Sequence, residues 1–524
     1  MREAGDIERK ATGRMRRKVL FITFDQWRGD AAGVFGHPLV QTPNVDAFAA
    51  RSTVFRRHYT CSAPCGPSRT TLLTGRYPFI HRSVRNGTPL DARFGNIAKE
   101  ARRAGVEPVL FGYTDTSIDP RVTPPDDPAL KSYESAMAGF TLGVAMFSET
   151  DVSAWAGHLS RKGYDLPPHP AAITYGVGAM RADRPFRRDP AFYAAEDSDT
   201  AFVADAAIDY MRVNTHRDWL LHASFLRPHP PLIAPAPYND MYAAADTPAP
   251  TRAASPGEEV DHPFLRYWRE TLQADPNFFQ PGFNANGRSD AELRDAAAVY
   301  FGLLSECDHH LGRMLAALEE SGQADETLIV LTSDHGEHLG DHWMWGKGGF
   351  FESSNHIPLM IFNPRRPGGR AVSALTESVD VAPTILDWLG AAPPQDWDGR
   401  PLSPWMAGEA PDWREGAFWE FDFREIASGS AEKALGLTPD QCVMNVWRED
   451  RWKLVHCAAL PPLLFDLQND PGESENLADR PEQAAKLAEL TGKLLSHRML
   501  HAERTLTNLQ LTPGGIARYE GPRA

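Results

Sequence analysis

Cysteine is scarce in this sequence, and its spacing excludes two common uses of the residue. The 524 residues include five cysteines, at Cys61, Cys65, Cys307, Cys442 and Cys457. An odd, scattered set makes a poor disulfide framework. Three residues separate Cys61 from Cys65, whereas a redox pair has two between its cysteines, and no His or Cys follows at zinc-finger spacing. A reactive side chain is therefore the favoured use of the stretch that holds this pair, and we interpret Cys61 itself as structural.

The sequence also lacks long apolar runs and an excess of positive charge. The run nearest the N-terminus, Val19–Phe24, has six residues, which is too short for a signal peptide core or a bilayer span. We therefore expect a cytoplasmic protein with no membrane segment. We also expect it to form a homo-oligomer. The formal net charge of −15 argues against a nucleic-acid or anionic-membrane partner. A small anionic substrate remains compatible with this charge if the chain builds a local cationic pocket.

Short apolar runs alternate with amphipathic helical patterns along most of the chain. The apolar runs are Val19–Phe24, Pro108–Tyr113, Trp219–Phe225, Leu328–Thr332 and Pro358–Phe362. The helical patterns cover Asn44–Arg56, Asn96–Ala104, Asp199–Val213 and Asp290–Gly322. Continuous apolar runs are typical of strands buried on both faces of a parallel sheet. The alternation predicts a doubly wound α/β domain with a mostly parallel central sheet.

The pattern changes near Pro404, which predicts a second, smaller domain. Three later segments, "GAFWEFDF", "QCVMNVWRED" and "RWKLVHCAAL", are typical of antiparallel strands, and a terminal helix is expected near Pro481–Arg504. We predict an N-terminal leader over residues 1–17, a catalytic α/β domain over 18–404 and a C-terminal α+β domain over 405–524. The Pro- and aromatic-rich segment Ala138–Pro190 is interpreted either as an insert that shapes the pocket mouth or as a subunit contact.

Polar or ionisable residues follow the first four apolar runs. In a parallel sheet, residues at these positions meet at one edge, where ligands bind. Polar loops are common at any single strand end, but four together, two of them carrying Asp with a second ligand-type residue, favour a metal site. The residues are Asp25 with Gln26, Thr114 with Asp115, Arg227 with His229, and Asp334 with His335.

The stretch from Cys65 to Arg76 carries the most specific motif. It reads "CGPSRTTLLTGR" and resembles the type I sulfatase signature C-x-P-S-R-x-x-x-L-T-G-R at every defined position. "TSDHGEHLGDH" from Thr332 and "WGKGGFFE" around Lys347 resemble further segments of the same family, part of the alkaline phosphatase superfamily. Elements such as "DQWR" and "RPHPP" are most similar to those of the phosphonate monoester hydrolases and the cytosolic arylsulfatases allied to them.

This resemblance implies a set of cofactors and site residues. A formylglycine-generating enzyme is expected to convert Cys65 to formylglycine, whose hydrated aldehyde supplies the nucleophile. One divalent cation is expected beside it: the imidazole of His335 favours manganese, with calcium and magnesium as alternatives. The implied residues are, for catalysis, Cys65, Arg69, His229 and Lys347; for substrate binding, Gln26, Asn86, Tyr113 and Asp115; and for the metal, Asp25, Cys65, Asp334 and His335.

Asp115 departs from the pattern of the phosphonate monoester hydrolases, which have a threonine at this place. A carboxylate near the substrate disfavours dianions through like-charge repulsion. We therefore expect an arylsulfatase acting on small anionic esters and promiscuous toward phosphonate monoesters and phosphodiesters. The first alternative is a phosphonate monoester hydrolase or phosphodiesterase. The second is a catalytically silent anion-binding protein, which would arise if Cys65 stays a thiol.

Overall fold

The five predicted apolar runs form strands of one large sheet in the computed structural model. The structure describes residues 16–168, 170–175, 186, 188–272, 279–280, 285, 288–366 and 368–519. The strands of the large sheet are β1 (Lys18–Asp25), β2 (Thr53–Tyr59), β3 (Glu107–Gly112), β4 (Thr141–Ala145), β5 (Trp219–Pro228), β6 (Thr327–Ser333), β7 (His356–Phe362) and β8 (Arg370–Glu377). Within the described chain they lie in the order β4-β3-β5-β1-β6-β7-β2-β8. Only β7 among them runs against its neighbours, so the predicted mostly parallel sheet is confirmed.

Helices cover both faces of the large sheet. They are α1 (Pro43–Ala50), α2 (Cys65–Thr74), α3 (Pro78–His81), α4 (Ile97–Arg103), α5 (Ser153–Arg161), α6 (Pro170–Tyr175), α7 (Asp199–Val213), α8 (Pro263–Leu272), α9 (Asp290–Glu320), α10 (Glu352–Asn355) and α11 (Val381–Trp388). Leu20 and Ile22 of β1 enter a core shared with α7 and α9. Val19 and Phe21 enter a second core, shared with α2 and α11. Because successive strand residues face opposite sides, the two buried cores confirm the doubly wound fold class.

One predicted helix is too long. The pattern over Asn44–Arg56 predicts a single helix, but α1 ends at Ala50 and β2 begins at Thr53. Phe55 follows Phe48 at helical spacing, yet it pairs with Leu359 of β7. The β-branched and aromatic residues at the start of β2 fit a buried strand equally well, and pairing with β7 decides between the two structures.

A second, antiparallel sheet forms in the C-terminal part of the chain, as predicted. Its strands are β9 (Ala417–Asp422), β10 (Val443–Arg448), β11 (Trp452–Cys457) and β12 (Leu463–Asp466). Helix α12 (Ser403–Ala407) still packs in the core of the large sheet through Met406, whereas α13 (Ser430–Leu435) and α14 (Ala484–Leu500) pack on the second sheet. The strand order is β12-β11-β10-β9. The backbone N–H of Glu420 in β9 donates to the carbonyl oxygen of Cys61 at 2.9 Å, which ties this sheet to the loop before α2. The domain bounds, including the leader, most of which lies outside the described residues, stay a prediction.

An apolar surface is exposed at the C-terminal end. It comprises the outer side of α14, with Leu495 and Met499, and the hairpin of β13 (Leu509–Thr512) and β14 (Gly515–Arg518), with Leu511 and Ile516. The predicted homo-oligomer stays a prediction, and this surface is where we expect a second copy to pack, because an isolated two-stranded hairpin is marginally stable in water. No helix in the described ranges has the length and apolar character needed to cross a bilayer.

Gly112, the last residue of β3, lies so close to β5 that it has no room for a side chain, and this can be tested. Gly112 has φ +115°, and a Cβ atom there would lie 1.9 Å from the carbonyl oxygen of Ser224. We expect Gly112→Ala to lower Tm strongly, because the substitution combines backbone strain with a backbone clash, together about 3 kcal/mol or more. Gly322→Ala is the matched control, since Gly322 also has positive φ but open space around it. Equal losses of Tm in the two variants, measured by thermal unfolding, would contradict the clash.

Candidate active site

Asp25 and Asp334 meet because β1 and β6 are parallel neighbours. Phe24 of β1 lies opposite Ser333 of β6, so the next residue of each strand leaves the same edge of the sheet. The hydroxyl of Ser333 donates to the carbonyl oxygen of Phe24 at 2.8 Å and ties the two strand ends together. The two carboxylates therefore stand side by side at the carboxyl edge, where ligands of such sheets bind.

Gln26 turns the chain sharply at the end of β1 and contacts three other residues of the site. It adopts the left-handed conformation, with φ 70°. Its backbone N–H donates to Asp334 Oδ1 at 3.1 Å, and its side-chain oxygen accepts from Lys347 Nζ at 3.0 Å. Its side-chain nitrogen donates to the buried carboxylate of Glu337. The predicted substrate-binding residue thus holds Lys347 in place beside the two aspartates.

Cys65 occupies the first position of α2 and faces this carboxyl edge. Its Sγ lies 3.2 Å from His335 Nε2, 3.3 Å from Lys347 Nζ and 3.7 Å from Asp25 Oδ1. The residue is only 3% exposed. Burial, together with the charge of Asp25, raises the pKa of the Cys65 thiol. An unmodified thiol here stays protonated at neutral pH and is therefore a poor nucleophile.

Four predicted metal ligands converge on one point. The ligand atoms of Asp25, Cys65, Asp334 and His335 all lie within 4.8 Å of one another. His335 Nδ1–H donates to the carbonyl oxygen of Gly336 at 3.0 Å, which leaves Nε2 as the lone-pair nitrogen toward the cluster. Burial lowers the pKa of His335 and favours the neutral imidazole that a metal requires. Carboxylate oxygens with one imidazole fit manganese, magnesium or calcium.

Arg69 joins the two strand ends from beneath the cluster. Its Nε donates to Asp334 Oδ2 at 2.9 Å and its Nη2 donates to Asp25 Oδ2 at 3.0 Å. Its Nη1 donates to Ser224 Oγ on β5 at 2.6 Å. Tyr113, which follows β3, donates its hydroxyl to Asp25 Oδ2 at 2.6 Å, and its ring lies 4.1 Å from the guanidinium. Arg69 is buried and orients both carboxylates, and its predicted catalytic role stays a prediction.

Lys347 and His229 form a pair on the other side of Cys65. Lys347 Nζ donates to His229 Nε2 at 2.6 Å, and His229 Nδ1–H donates to the carbonyl oxygen of Pro230 at 2.6 Å. Burial and the neighbouring ammonium lower the pKa of His229 to about 3, so its imidazole is neutral. Burial opposes the charge of Lys347, but the negative charges around it, Asp25 and Asp334 among them, outweigh burial and raise the Lys347 pKa. The pair therefore carries its positive charge on Lys347.

Asn86 and Asp115 line the cavity that opens above Cys65. Asn86 Oδ1 accepts from the backbone N–H of Gly66 at 2.8 Å, which leaves the amide NH₂ as the donor available to an anion. Asp115 has φ 48° and is 6% exposed. Its carboxylate makes no hydrogen bond to any other residue in the described ranges. Burial raises the pKa of Asp115, and Asp25 and Glu134 add to this effect.

Comparison with known proteins identifies the family. Residues 17–391 match the family model described as Sulfatase, and residues 340–499 match the model described as N-sulphoglucosamine sulphohydrolase, C-terminal. The chain belongs to the sulfatase family. This match confirms the family assignment that was made from the Cys65–Arg76 motif. The sulfatase family forms part of the alkaline phosphatase superfamily.

Relatives of this sulfatase are similar over nearly the whole chain. The multifunctional alkaline phosphatase superfamily protein PehA of Trinickia caryophylli is 40% identical over 96% of this chain and 99% of its own length. A phosphonate monoester hydrolase of Agrobacterium radiobacter has a TM-score of 0.90 and 42% identity over 97% of this chain and all of its own. The phosphonate monoester hydrolase of Silicibacter pomeroyi has a TM-score of 0.91 and 43% identity over 96% of this chain and 99% of its own.

Several residues that complete this sulfatase site were missed by sequence reasoning. Glu337 anchors Gln26, accepts the backbone N–H groups of Leu339 and Gly346, and has a pKa raised to about 7 by burial. It lies within the "TSDHGEHLGDH" segment, so its position near the metal ligands was available as a signal. The cavity wall adds Tyr133, Glu134, Ser148, Glu149 and Thr174. Three of these belong to the segment Ala138–Pro190, which therefore contributes to the pocket.

Removal of one aspartate tests whether the cluster holds a metal. We expect Asp334→Ala to lose both bound metal and activity, because the variant removes one ligand and one partner of Arg69. Metal content is measured by inductively coupled plasma mass spectrometry after purification from manganese-supplemented medium. Asp440→Ala, at a side chain that is 94% exposed, is the control and should retain both. Stoichiometric metal in the Asp334→Ala protein would contradict the proposed ligand set.

Proposed function

We propose that this sulfatase-family protein is a formylglycine- and divalent-metal-dependent hydrolase of monoanionic esters. The observation that carries the proposal is the convergence of Asp25, Cys65, Asp334 and His335 with Lys347 at one buried point. The site pairs a position for a modified nucleophile with clustered metal ligands and a fixed cation. These are the groups that attack on a negatively charged ester requires.

The residues present fit both implied cofactors. Asp25, Asp334, His335 and the side chain at position 65 would hold the cation, which supplies charge neutralisation at the ester oxygens when bound. Formylglycine at position 65 supplies hydroxyl groups in its hydrated form, which the buried thiol does not. Manganese remains our first choice for the cation because an imidazole shares the site with carboxylates.

The chain's own residues bind and orient the substrate. Lys347 Nζ, 3.3 Å from Cys65 Sγ, is placed to neutralise a nonbridging oxygen of the ester. The amide NH₂ of Asn86 offers a second donor across the cavity. Arg69 keeps Asp25 and Asp334 aligned. The Lys347 proton is already shared with His229 Nε2, so this pair is the proposed source of the proton that the leaving oxygen takes up.

Phosphonate monoesters and phosphodiesters stand first among the proposed substrates, with sulfate monoesters second. This order reverses the one expected from the sequence. Asp115 supports a preference for monoanions over dianions, but phosphonate monoesters and sulfate monoesters are both monoanions, so Asp115 does not rank them. Similarity to two phosphonate monoester hydrolases over nearly the whole chain supports placing phosphonate esters first.

We further propose that the protein works in the cytoplasm and depends on a formylglycine-generating enzyme.

The state of residue 65 distinguishes the hydrolase from a silent anion-binding protein. We expect mass spectrometry of the peptide across Cys65 to find formylglycine in protein made together with a converting enzyme. Cys65→Ala and Cys65→Ser should each lose about a thousandfold or more in kcat, the usual order for removal of a nucleophile. Cys61→Ala is the control and should keep its turnover, because Cys61 packs in a separate buried core. An active preparation with only unmodified Cys65 would refute the mechanism.

The charge of Asp115 gives a separate test of substrate preference. We expect Asp115→Thr to raise activity on an aryl phosphate relative to the matched aryl sulfate by about tenfold or more, because phosphate monoesters are mostly dianions near neutral pH. The measurement is kcat/KM for both esters in wild type and variant. Asp115→Asn, which removes the charge and keeps the shape, should move the ratio in the same direction. A ratio unchanged in both variants would remove the reason for expecting monoanions.

A further inference from the structure

The cavity above Cys65 has an acidic outer wall that the hydrolytic chemistry does not use. Beyond Asp25 and Asp115, its lining includes Glu134 and Glu149. Among the described residues that line this cavity, none is a lysine or an arginine. The cations of the site, Lys347 and Arg69, lie at the level of Cys65 and are already engaged with it or with the aspartates. The outer wall is therefore lined by carboxyl groups, and the described residues that line it add no positive charge.

The acidic side chains are held in place around an aromatic ring. Tyr133 donates its hydroxyl to Glu149 Oε1 at 2.8 Å. Glu134, which is 4% exposed, accepts from Ser148 Oγ at 2.7 Å and from the backbone N–H of Glu149 at 2.9 Å. These contacts fix the carboxylates without neutralising them, because every donor is uncharged. Tyr133 lines the same cavity as Asp115, Glu134 and Glu149. Burial first, and then the charge of Asp115, raises the pKa of its hydroxyl.

Asp115 supplies the second, independent observation. The residue is nine-tenths buried, lines the cavity and has no hydrogen-bond partner among the described residues. A buried carboxylate without a donor is costly unless a ligand supplies one. Its left-handed backbone (φ 48°) is an uncommon conformation for a non-glycine residue and costs energy to hold. The Asp115 carboxyl group is thus available to a ligand in the cavity.

The acidic wall extends from the reacting centre toward a second cavity. Tyr133 and Glu149 line both the cavity above Cys65 and a neighbouring cavity of about 390 Å³. Attack from residue 65 is expected in line with the bond that breaks, so the alcohol portion of the ester lies on the far side of the phosphorus or sulfur atom from Cys65 and extends along the cavity. The acidic wall therefore faces the alcohol portion of the substrate.

We propose that Asp115, Glu134, Glu149 and the ring of Tyr133 form a subsite for a positively charged group on the alcohol portion of the ester. The substrate class is then a zwitterionic ester, which carries a monoanionic phosphorus or sulfur group and an amine or quaternary ammonium on the alcohol side. Carboxylates attract such a group through charge, and an aromatic face binds quaternary ammonium through cation–π contact. This inference rests on the proposed ester hydrolysis and names its substrate class.

A pair of esters of equal shape tests the subsite. The pair is 3-(trimethylammonio)phenyl phenylphosphonate, a zwitterion, and 3-tert-butylphenyl phenylphosphonate, a monoanion of the same shape; the names cationic ester and neutral ester refer to the charge of this ring substituent alone. The cationic group also makes the phenol a better leaving group, but this effect is common to all variants. The readout is therefore the ratio of kcat/KM for the cationic ester to that for the neutral ester, compared between wild type and variants.

We expect Glu149→Gln to lower this ratio about threefold, since Glu149 is exposed and its charge is screened. Asp115→Asn should lower it at least as much, since a cation beside Asp115 favours the ionised carboxylate that burial alone disfavours, and the amide cannot ionise. Glu482→Gln, an exposed residue outside the cavity, is the matched control and should leave the ratio unchanged. Ratios equal to wild type in both Glu149→Gln and Asp115→Asn would overturn the subsite.

Failure of the proposed hydrolysis is distinguishable from failure of the subsite. If wild type hydrolyses the neutral ester, the hydrolytic function stands and the ratio alone judges the subsite. If neither ester is hydrolysed, the unreactive cation phenyltrimethylammonium is titrated into wild type and Glu149→Gln by calorimetry. Saturable binding that weakens in the variant supports the subsite without any turnover. No saturable binding at millimolar concentration overturns it.

Discussion

The buried guanidinium of Arg69 is the interaction on which the site depends. It bridges carboxylates that follow two neighbouring strands, Asp25 after β1 and Asp334 after β6, and reaches a third strand at Ser224. Two carboxylates so close together in a buried place would repel each other. Arg69 offsets this repulsion, and its planar guanidinium fixes the direction of each carboxylate through charge-assisted hydrogen bonds. The helix that carries residue 65 thus also delivers the arginine that holds the two aspartates in place.

Helix α2 therefore has two roles within its first five residues. Cys65 at its start faces the cavity, while Arg69, one turn later, points beneath it toward the sheet. Ser68 between them donates to the carbonyl oxygen of Asp334 at 2.6 Å, so the helix is tied to β6 by backbone as well as by side chain. The short sequence motif therefore has two structural effects. One helical turn positions Cys65 at the cavity and places Arg69 against the carboxylates of Asp25 and Asp334.

Much of this arrangement could be predicted because it depends on short-range patterns. Uninterrupted apolar runs predicted β1 and β6. Because the carboxyl ends of parallel strands meet at one edge of a sheet, the sequence also predicted that Asp25 and Asp334 lie close together. The contributions of Glu337, Tyr133 and Glu149 could not be predicted in the same way. Their importance lies in which side chain each one contacts, and a carboxylate or a tyrosine in a loop carries no periodic signal. The failure at α1 has a similar cause, since Phe55 satisfies a helical spacing and only its pairing with β7 makes it part of a strand.

The burial of Cys65 has a consequence for timing. His335, which contacts Cys65 Sγ, lies 270 residues later in the chain. At ordinary rates of synthesis a ribosome needs on the order of tens of seconds to add that length. Until β6 and the residues after it emerge, nothing can close the site over residue 65. A nascent chain therefore presents "CGPSR" as an accessible peptide for that interval, whereas the folded protein hides it. An enzyme that modifies this cysteine therefore has to act before the site closes.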